Sequence, residues 1–213
     1  MIYKLKEQRD KFIEKVYKDS MKDLNKFYEV NWTYGRPNVI IPESRKQIDQ
    51  LKDTKTERWV VGWSSGQFIY VLDRKNFNKE SSNKYSESSY SATIKHELSH
   101  AFYNIKSKGK NTPRWLCEGV AIYTSGQNKL KKIPIKFGNF LSFYENGGKD
   151  IYYESGFAVE LLVKKYGKKK LLKLILNLNT VENKDGFSKL FKKIYGFSSN
   201  YKEFNAFLKE ATK

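Results

Sequence analysis

The residues whose types and spacing best fit a chemical site are His96 and His100, the only two histidines in the chain. They stand four positions apart, and Glu97 directly follows the first. An α-helix turns about 100° per residue, so such a pair lies about 40° apart on one face. Two imidazoles on one face can bind a single metal ion, and a carboxylate beside them can accept a proton. Residues 96–100 therefore predict a metal site with an adjacent general base.

The helix that must carry this pair is predicted from Tyr90 to about Lys106. Its apolar residues fall within about 100° of arc, and the histidines lie near the opposite side. A lone histidine is usually an ordinary core residue, but a pair opposite an apolar face favours ligands presented to a cleft. The apolar residues are Ile94, Leu98, Ala101, Phe102 and Ile105.

A third ligand is needed, because a catalytic zinc ion takes three protein ligands and keeps a fourth position open. No other histidine exists, so this ligand must be Asp, Glu or Cys. Glu118 is the best candidate, since the seventeen residues after His100 allow a second helix to return beside the first. Cys117 competes, but helix neighbours point about 100° apart, so only one of the two can face the metal. We interpret Cys117 as a small buried residue.

The pattern H-E-x-x-H is typical of zinc peptidases, with Zn²⁺ as the cofactor. In such sites a zinc-bound water, with its pKa lowered to about 7, attacks a carbonyl. Glu97 would take the water's proton and pass it to the leaving amine. The developing oxyanion also needs a donor. With 15 tyrosines, composition does not select one.

Two segments together resemble a known group of enzymes. Residues 96–100, followed by Trp-Leu-Cys-Glu-Gly-Val-Ala-Ile-Tyr at 115–123, are similar to the gluzincin metallopeptidases, especially peptidase MA-like domains, and more distantly to the leukotriene hydrolase/aminopeptidase family. The resemblance covers about residue 59 to the C-terminus and implies a zincin-like fold, one Zn²⁺ ion and Glu118 as third ligand. The run that begins at Tyr153, Tyr-Glu-Ser-Gly, is similar to the family segment whose tyrosine stabilises the oxyanion. This implies a catalytic Tyr153, with Tyr152 as a competitor.

The resemblance also bears on the substrate. The aminopeptidases carry an upstream Gly-x-Met-Glu-Asn segment that binds a free amine, whereas residues 61–72 contain no acidic residue. The expected function is thus a zinc metallopeptidase acting on a peptide or protein, as an endopeptidase rather than an aminopeptidase. In zincins the strand before the histidine helix pairs with the substrate backbone, which would suit residues 67–72.

Two other functions stay open on the sequence alone. One is a basic module that binds a polyanion on a catalytically inactive zincin scaffold. The other is a zinc hydrolase that acts on a non-peptide amide or ester. An intact Glu97 argues against the first, because a purely structural zinc site needs no general base.

The elements that must position the site predict an α+β fold. A small mixed sheet precedes the histidine helix, and the C-terminal half is mainly helical. An amphipathic helix is predicted over about residues 3–28, and segment 1–30, which contains it, would pack on the catalytic domain. That domain spans residues 31–213. It has a sheet-containing lobe to about residue 110 and a helical lobe from about 111 to 213. Strands are predicted at 39–41, 59–63 and 67–72, a loop at 79–91, and helices at 43–51, 113–123, 137–144, 152–166, 171–178, 187–195 and 204–208.

Composition sets further bounds. The net charge is +18, from 41 Lys and Arg against 23 Asp and Glu, which favours an anionic surface or polymer as partner. The lysines are spread along the chain without a nucleic-acid motif, so we interpret most of them as solvated helix faces. No run of about 18 apolar residues predicts a membrane span. No signal peptide is visible, so the expected location is cytoplasmic by default, although a secreted mature form would look the same.

Overall fold

A computed structural model describes residues 7–211 of the chain. It has the predicted α+β class: a three-stranded mixed sheet precedes the histidine helix, and the C-terminal half is mainly helical. The strands are β1 (Asn38–Ile40), β2 (Gly62–Ser65) and β3 (Phe68–Val71). The α-helices are α1 (Lys11–Tyr28), α2 (Arg45–Lys52), α3 (Phe77–Glu80), α4 (Glu87–Lys106), α5 (Arg114–Ser125), α6 (Ile151–Tyr166), α7 (Lys168–Leu176), α8 (Lys184–Tyr195) and α9 (Tyr201–Ala211).

Helix α1 begins later than the predicted residue 3. The Asp10 carboxylate accepts hydrogen bonds from the backbone N–H groups of Phe12 and Ile13, at 3.0 and 3.2 Å, and so caps the helix at Lys11. The prediction is therefore wrong for residues 7–10, and residues 1–6 lie outside the described part.

Helix α1 packs behind the histidine helix and is joined to it by a buried polar network. The Tyr28 hydroxyl lies 2.8 Å from Oγ of Ser99, on α4. The Thr124 hydroxyl, on α5, donates to the same Oγ at 2.8 Å. Three helices therefore meet at Ser99, which lies between the two histidines in sequence, and the network opposes rotation of α4.

The sheet has the order β1-β3-β2, with β1 parallel and β2 antiparallel to β3. The predicted strand at 59–63 lies further along the chain, because the Arg45 guanidinium donates to the carbonyls of Arg58 and Val60. These backbone groups bond to a side chain instead of a neighbouring strand. The hairpin then turns at Gly66, whose φ of +58° suits glycine.

Helix α4 starts at Glu87, three residues before the predicted Tyr90, so part of the predicted loop is helical. Ser86 and Ser89 form a capping box, in which the Ser86 side chain accepts from the Ser89 N–H at 3.1 Å. Its predicted apolar face is buried at Ile94, Leu98 and Phe102. The prediction is wrong for Ile105, in the last turn, which is 44 % exposed.

Helices α5 and α6 approach closely through two glycines. A Cβ built on Gly119 would lie 2.6 Å from the carbonyl oxygen of Ser155, and one on Gly156 would collide with Ile122. No side chain larger than hydrogen fits at either position without moving a helix. This contact fixes α6, and any residue at its N-terminal end, relative to α5.

The predicted helix at 137–144 is wrong, since only Phe140–Ser142 forms a single 3₁₀ turn. The buried Glu154 carboxylate accepts backbone hydrogen bonds from Gly138, Asn139 and Phe140 at 2.9–3.1 Å. A side chain of α6 thus caps this single turn and ties the segment to α6.

The other C-terminal helices lie where they were predicted, with ends that differ by no more than three residues. Aromatic packing holds them together: the Trp115 ring contacts those of Phe140, Phe187 and Phe204 edge-on. Within residues 7–211, no helix combines the length and the apolar character that crossing a bilayer requires.

Candidate metal centre

Three side-chain atoms meet between α4 and α5 in a nearly equilateral triangle. Nε2 of His96 lies 3.0 Å from Nε2 of His100, and Oε2 of Glu118 lies 3.3 and 3.4 Å from these two nitrogens. Ligands bound tetrahedrally at about 2.0–2.1 Å are about 3.3 Å apart. The three predicted ligands therefore form a group that could hold one metal ion.

The Glu118 carboxylate supplies a separate test of this fit. Its Oε1 accepts a hydrogen bond from Arg114 Nη2 at 3.0 Å, whereas its buried Oε2 faces the two histidine nitrogens and accepts no hydrogen bond of good geometry in the described structure. A buried carboxylate oxygen without a donor is costly. A cation bound between Oε2 and the two imidazoles would remove that cost.

Helix periodicity and one reversal of the chain explain how the ligands converge. His96 and His100 share one face of α4 because they are one turn apart. Residues 107–113 then reverse the chain, and α5 returns beside α4 with Glu118 in its second turn. Arg114 lies one turn before Glu118 on α5, which is the i,i+4 spacing for a charge pair. That spacing is a signal in the sequence that our prediction missed.

Cys117 contacts a metal-site residue without joining the ligand triangle. Its Sγ lies 3.4 Å from Nδ1 of His100, on the side of the ring away from Nε2. The predicted buried position is confirmed. The interpretation as packing alone was incomplete, because the thiol also bonds to the ring that faces the site.

The charges of the triangle are strongly interdependent. Burial alone would lower the pKa of His100, but the adjacent Glu118 carboxylate, with Cys117, raises it well above 6.5. Burial alone would raise the pKa of Glu118, but the two imidazoles lower it well below 4.5. Without a metal ion, the site therefore holds an imidazolium–carboxylate pair. A metal ion would replace the imidazolium proton as the positive charge.

Glu97 lies beside the triangle and is not part of it. It is only 7 % exposed, and burial raises its carboxyl pKa, an effect that the imidazoles oppose. A Cβ built on Gly62 of β2 would lie 3.2 Å from Glu97 Oε1 and 3.0 Å from Thr93 Cγ2. The absence of a side chain at Gly62 thus leaves the space that the Glu97 carboxylate occupies. No feature of the sequence predicted this contact.

The structure places Tyr152, rather than the predicted Tyr153, against the ligands. The Tyr152 and His96 ring centroids are 6.2 Å apart. Burial raises the pKa of Tyr152, and the Glu118 and Glu97 carboxylates raise it further, so the phenol stays protonated. Tyr153 is 49 % exposed at the cleft rim. Helix α6 buries Ile151 and Glu154, which turns Tyr152 towards the metal site.

Two adjoining cavities form a cleft at the site. Cavities of about 540 and 690 Å³ share a lining of Trp59, Gly62, His96, Glu97 and Tyr152, and most of their other lining residues differ. A larger cavity of about 920 Å³ between α1 and α5 contains none of the predicted site residues.

Strand β2 lines the first of these cavities along its whole length. The predicted substrate-pairing segment, residues 67–72, includes β3, which is the central strand and is paired on both sides. Its backbone has no free edge for a peptide, so that prediction is wrong. The edge strand beside the site is β2.

Known proteins add nothing to this geometry. Comparisons with protein-family models, curated proteins and solved structures find no match to this chain. The gluzincin resemblance and the zincin-like fold therefore stay predictions, and function must be argued from the site itself.

Proposed function

We propose that this protein is a zinc-dependent metallopeptidase of the gluzincin type, with a zincin-like fold, that cleaves internal peptide bonds. The observation that carries the proposal is the ligand triangle, with edges of 3.0–3.4 Å, beside the buried Glu97. Two imidazoles and one carboxylate are a common ligand set for catalytic zinc, whereas Mg²⁺ and Ca²⁺ prefer oxygen ligands. The set leaves a fourth tetrahedral position for water or substrate.

Each neighbouring side chain has a distinct role in the proposed hydrolysis. Zinc, when bound, supplies the Lewis acidity that activates water and polarises the scissile carbonyl. Glu97 accepts the proton of the water, which its raised pKa favours, and then passes that proton to the leaving amine. Tyr152 donates its hydroxyl proton in a hydrogen bond to the developing oxyanion. Arg114 holds Glu118 by its other oxygen.

The cleft supports an endopeptidase rather than an aminopeptidase. Its two cavities share His96 and Glu97, so substrate residues on either side of the cleaved bond would each have a cavity. The only carboxylates that line these two cavities, among the described residues, are Glu97 and Glu118. Both have roles at the metal, so neither is available to bind a free amino terminus.

The two alternative functions make different demands on the same residues. A polyanion-binding module with an inactive site has no use for a buried carboxylate beside the ligands. A hydrolase of a non-peptide amide or ester would use the same groups as a peptidase. The test of the proposed function therefore uses ester and N-acyl amide substrates beside peptides.

The test combines zinc quantitation with digestion of a peptide library, using wild type and Glu97→Gln. We expect one zinc per chain in both proteins and cleavage by wild type alone. Glu87→Gln, on the exposed first turn of the same helix, is the matched control and should cleave normally. Equal cleavage by Glu97→Gln and wild type would exclude the proposed mechanism. Turnover of esters but not of peptides would favour the non-peptide hydrolase over the peptidase.

A further inference from the structure

A lysine lines the larger of the two cleft cavities, next to the metal site. Lys131 follows the 3₁₀ turn Gln127–Leu130, and its Nζ donates to the Tyr152 carbonyl at 2.6 Å. The same cavity, of about 690 Å³, is also lined by His96 and Glu97. The Lys131 ammonium is therefore held on the backbone of the residue that faces the metal site.

This ammonium has no carboxylate partner in the described part of the chain. Its one hydrogen bond is to a carbonyl, which leaves two of its three N–H groups for other acceptors. It is partly buried, and burial lowers the Lys131 pKa without an opposing acid. A partly buried cation is costly to leave unpaired. A ligand that brings a negative charge would supply the missing partner.

The rest of the cavity has the same sign of charge. Lys84 and Lys149 also line it, and its one acidic residue within the described part of the chain is Glu97, which the proposed hydrolysis uses. The wall also contains apolar side chains, among them Trp59, Val60 and Leu130, and neutral polar ones, which are Ser82, Asn83, Ser89, Thr93 and Gln127. One held ammonium in a cavity of mixed apolar and polar lining suits a single carboxylate on a short apolar stem. A nucleic-acid backbone would instead need a row of exposed cations.

We propose that this cavity binds an acidic side chain of the substrate, Asp or Glu, and that Lys131 is the residue that determines this specificity. The inference rests on the proposed peptidase function and adds the substrate class. The acidic residue would lie close to the scissile bond, because the cavity shares His96 and Glu97 with the metal site.

The test uses fluorogenic peptides that differ only by Glu, Gln or Lys at each position around the cleaved bond. At one of these positions, we expect wild type to cleave the Glu peptide with a kcat/KM about tenfold higher than that for the Gln peptide. Lys131→Met should abolish this preference, Lys131→Arg should keep it, and Lys131→Glu should reverse it towards a Lys peptide. Lys132→Met is the matched control, because its exposed side chain is absent from the cavity wall.

A binding measurement separates this inference from the proposed function. The inactive Glu97→Gln protein, alone and combined with Lys131→Met, is titrated with labelled Glu and Gln peptides. A Glu preference that disappears with Lys131→Met supports the acidic pocket even if wild type cleaves no peptide. Equal affinities of the Glu97→Gln protein for the Glu and Gln peptides, or a Glu preference that survives when Lys131→Met is added, would overturn it. So would a Lys131→Met variant that loses only thermal stability, or only affinity for single-stranded DNA.

Discussion

Cys117 Sγ lies 3.4 Å from Nδ1 of His100, directly behind the ring nitrogen that faces the candidate metal position. If Nε2 binds a metal ion, Nδ1 must carry the ring proton, and the sulfur is then its acceptor. Partners of this kind set the tautomer and the orientation of a ligating histidine. The thiol therefore orients a metal ligand without being one.

Replacing this thiol should weaken metal binding. Cys117→Val keeps a small apolar side chain but removes the acceptor for Nδ1, so we expect zinc affinity to fall about tenfold. Cys117→Ser keeps an acceptor and should stay closer to wild type. Competition against a zinc chelator measures both, with thermal unfolding as a check on the fold. Unchanged affinity in Cys117→Val would mean that the contact has no effect on the metal.

A methyl group at position 62 should impair catalysis but not metal binding. In Gly62→Ala the new Cβ would lie 3.2 Å from Glu97 Oε1 and 3.0 Å from Thr93 Cγ2, and this crowding would displace the carboxylate. Misplacing a catalytic group by about 1 Å can lower the rate about 100-fold. We expect a fall in kcat of this order, with one zinc still bound per chain.

The matched control for this change is Gly138→Ala. Nothing lies within 4 Å of a Cβ built on Gly138, and this glycine has no positive φ. The control should retain wild-type kcat. A Gly62→Ala protein with full activity would show that Glu97 adjusts freely, which would contradict the close contact with β2.

The two neighbouring tyrosines should differ sharply when each hydroxyl is removed. Tyr152→Phe should lower kcat about 100-fold, the usual effect of losing one oxyanion donor, with a smaller change in KM. Tyr153→Phe, at the exposed rim, should stay within about twofold of wild type. Steady-state kinetics on one peptide decides between them. The opposite result would restore Tyr153 as the oxyanion donor.

The stability of the zinc-free protein should depend on pH through the pair His100–Glu118. The His100 pKa is raised in the folded state, so its contribution is complete below about pH 6.5 and is lost as pH rises through the raised value. The Glu118 pKa is lowered, so its contribution is present above about pH 4.5 and is lost as pH falls through the lowered value.

Urea unfolding in the presence of a chelator, with Glu118→Gln for comparison, measures this effect. The gap in the free energy of unfolding between the two proteins should narrow as pH rises above about 6.5, through the raised pKa of His100. Zinc binding should also depend on pH, because the zinc ion displaces the His100 proton. Calorimetry in buffers of different ionisation enthalpy should detect proton release, and apparent zinc affinity should rise with pH. A gap that is the same at every pH would contradict the ion pair.

The sequence alone determined the features that lie within one helix or follow from composition. The spacing of His96 and His100 places both on one face of α4 wherever that helix packs, since helix periodicity is local. The absence of a third histidine restricted the remaining ligand to Asp, Glu or Cys. The order of a small sheet followed by helices was also predicted from local patterns. The predicted starts of α1 and α4 were displaced, because Asp10 and Ser86 cap these helices at other positions.

Only the tertiary structure decided which groups from different elements touch. Tyr152 rather than Tyr153 faces the site because Glu154 is buried as a cap and the glycine contact with α5 sets the register of α6. The contact of Gly62 with Glu97 depends on how the sheet lies against α4. These relationships depend on side-chain volumes and backbone donors that are far apart in the chain, so no local period of the sequence records them.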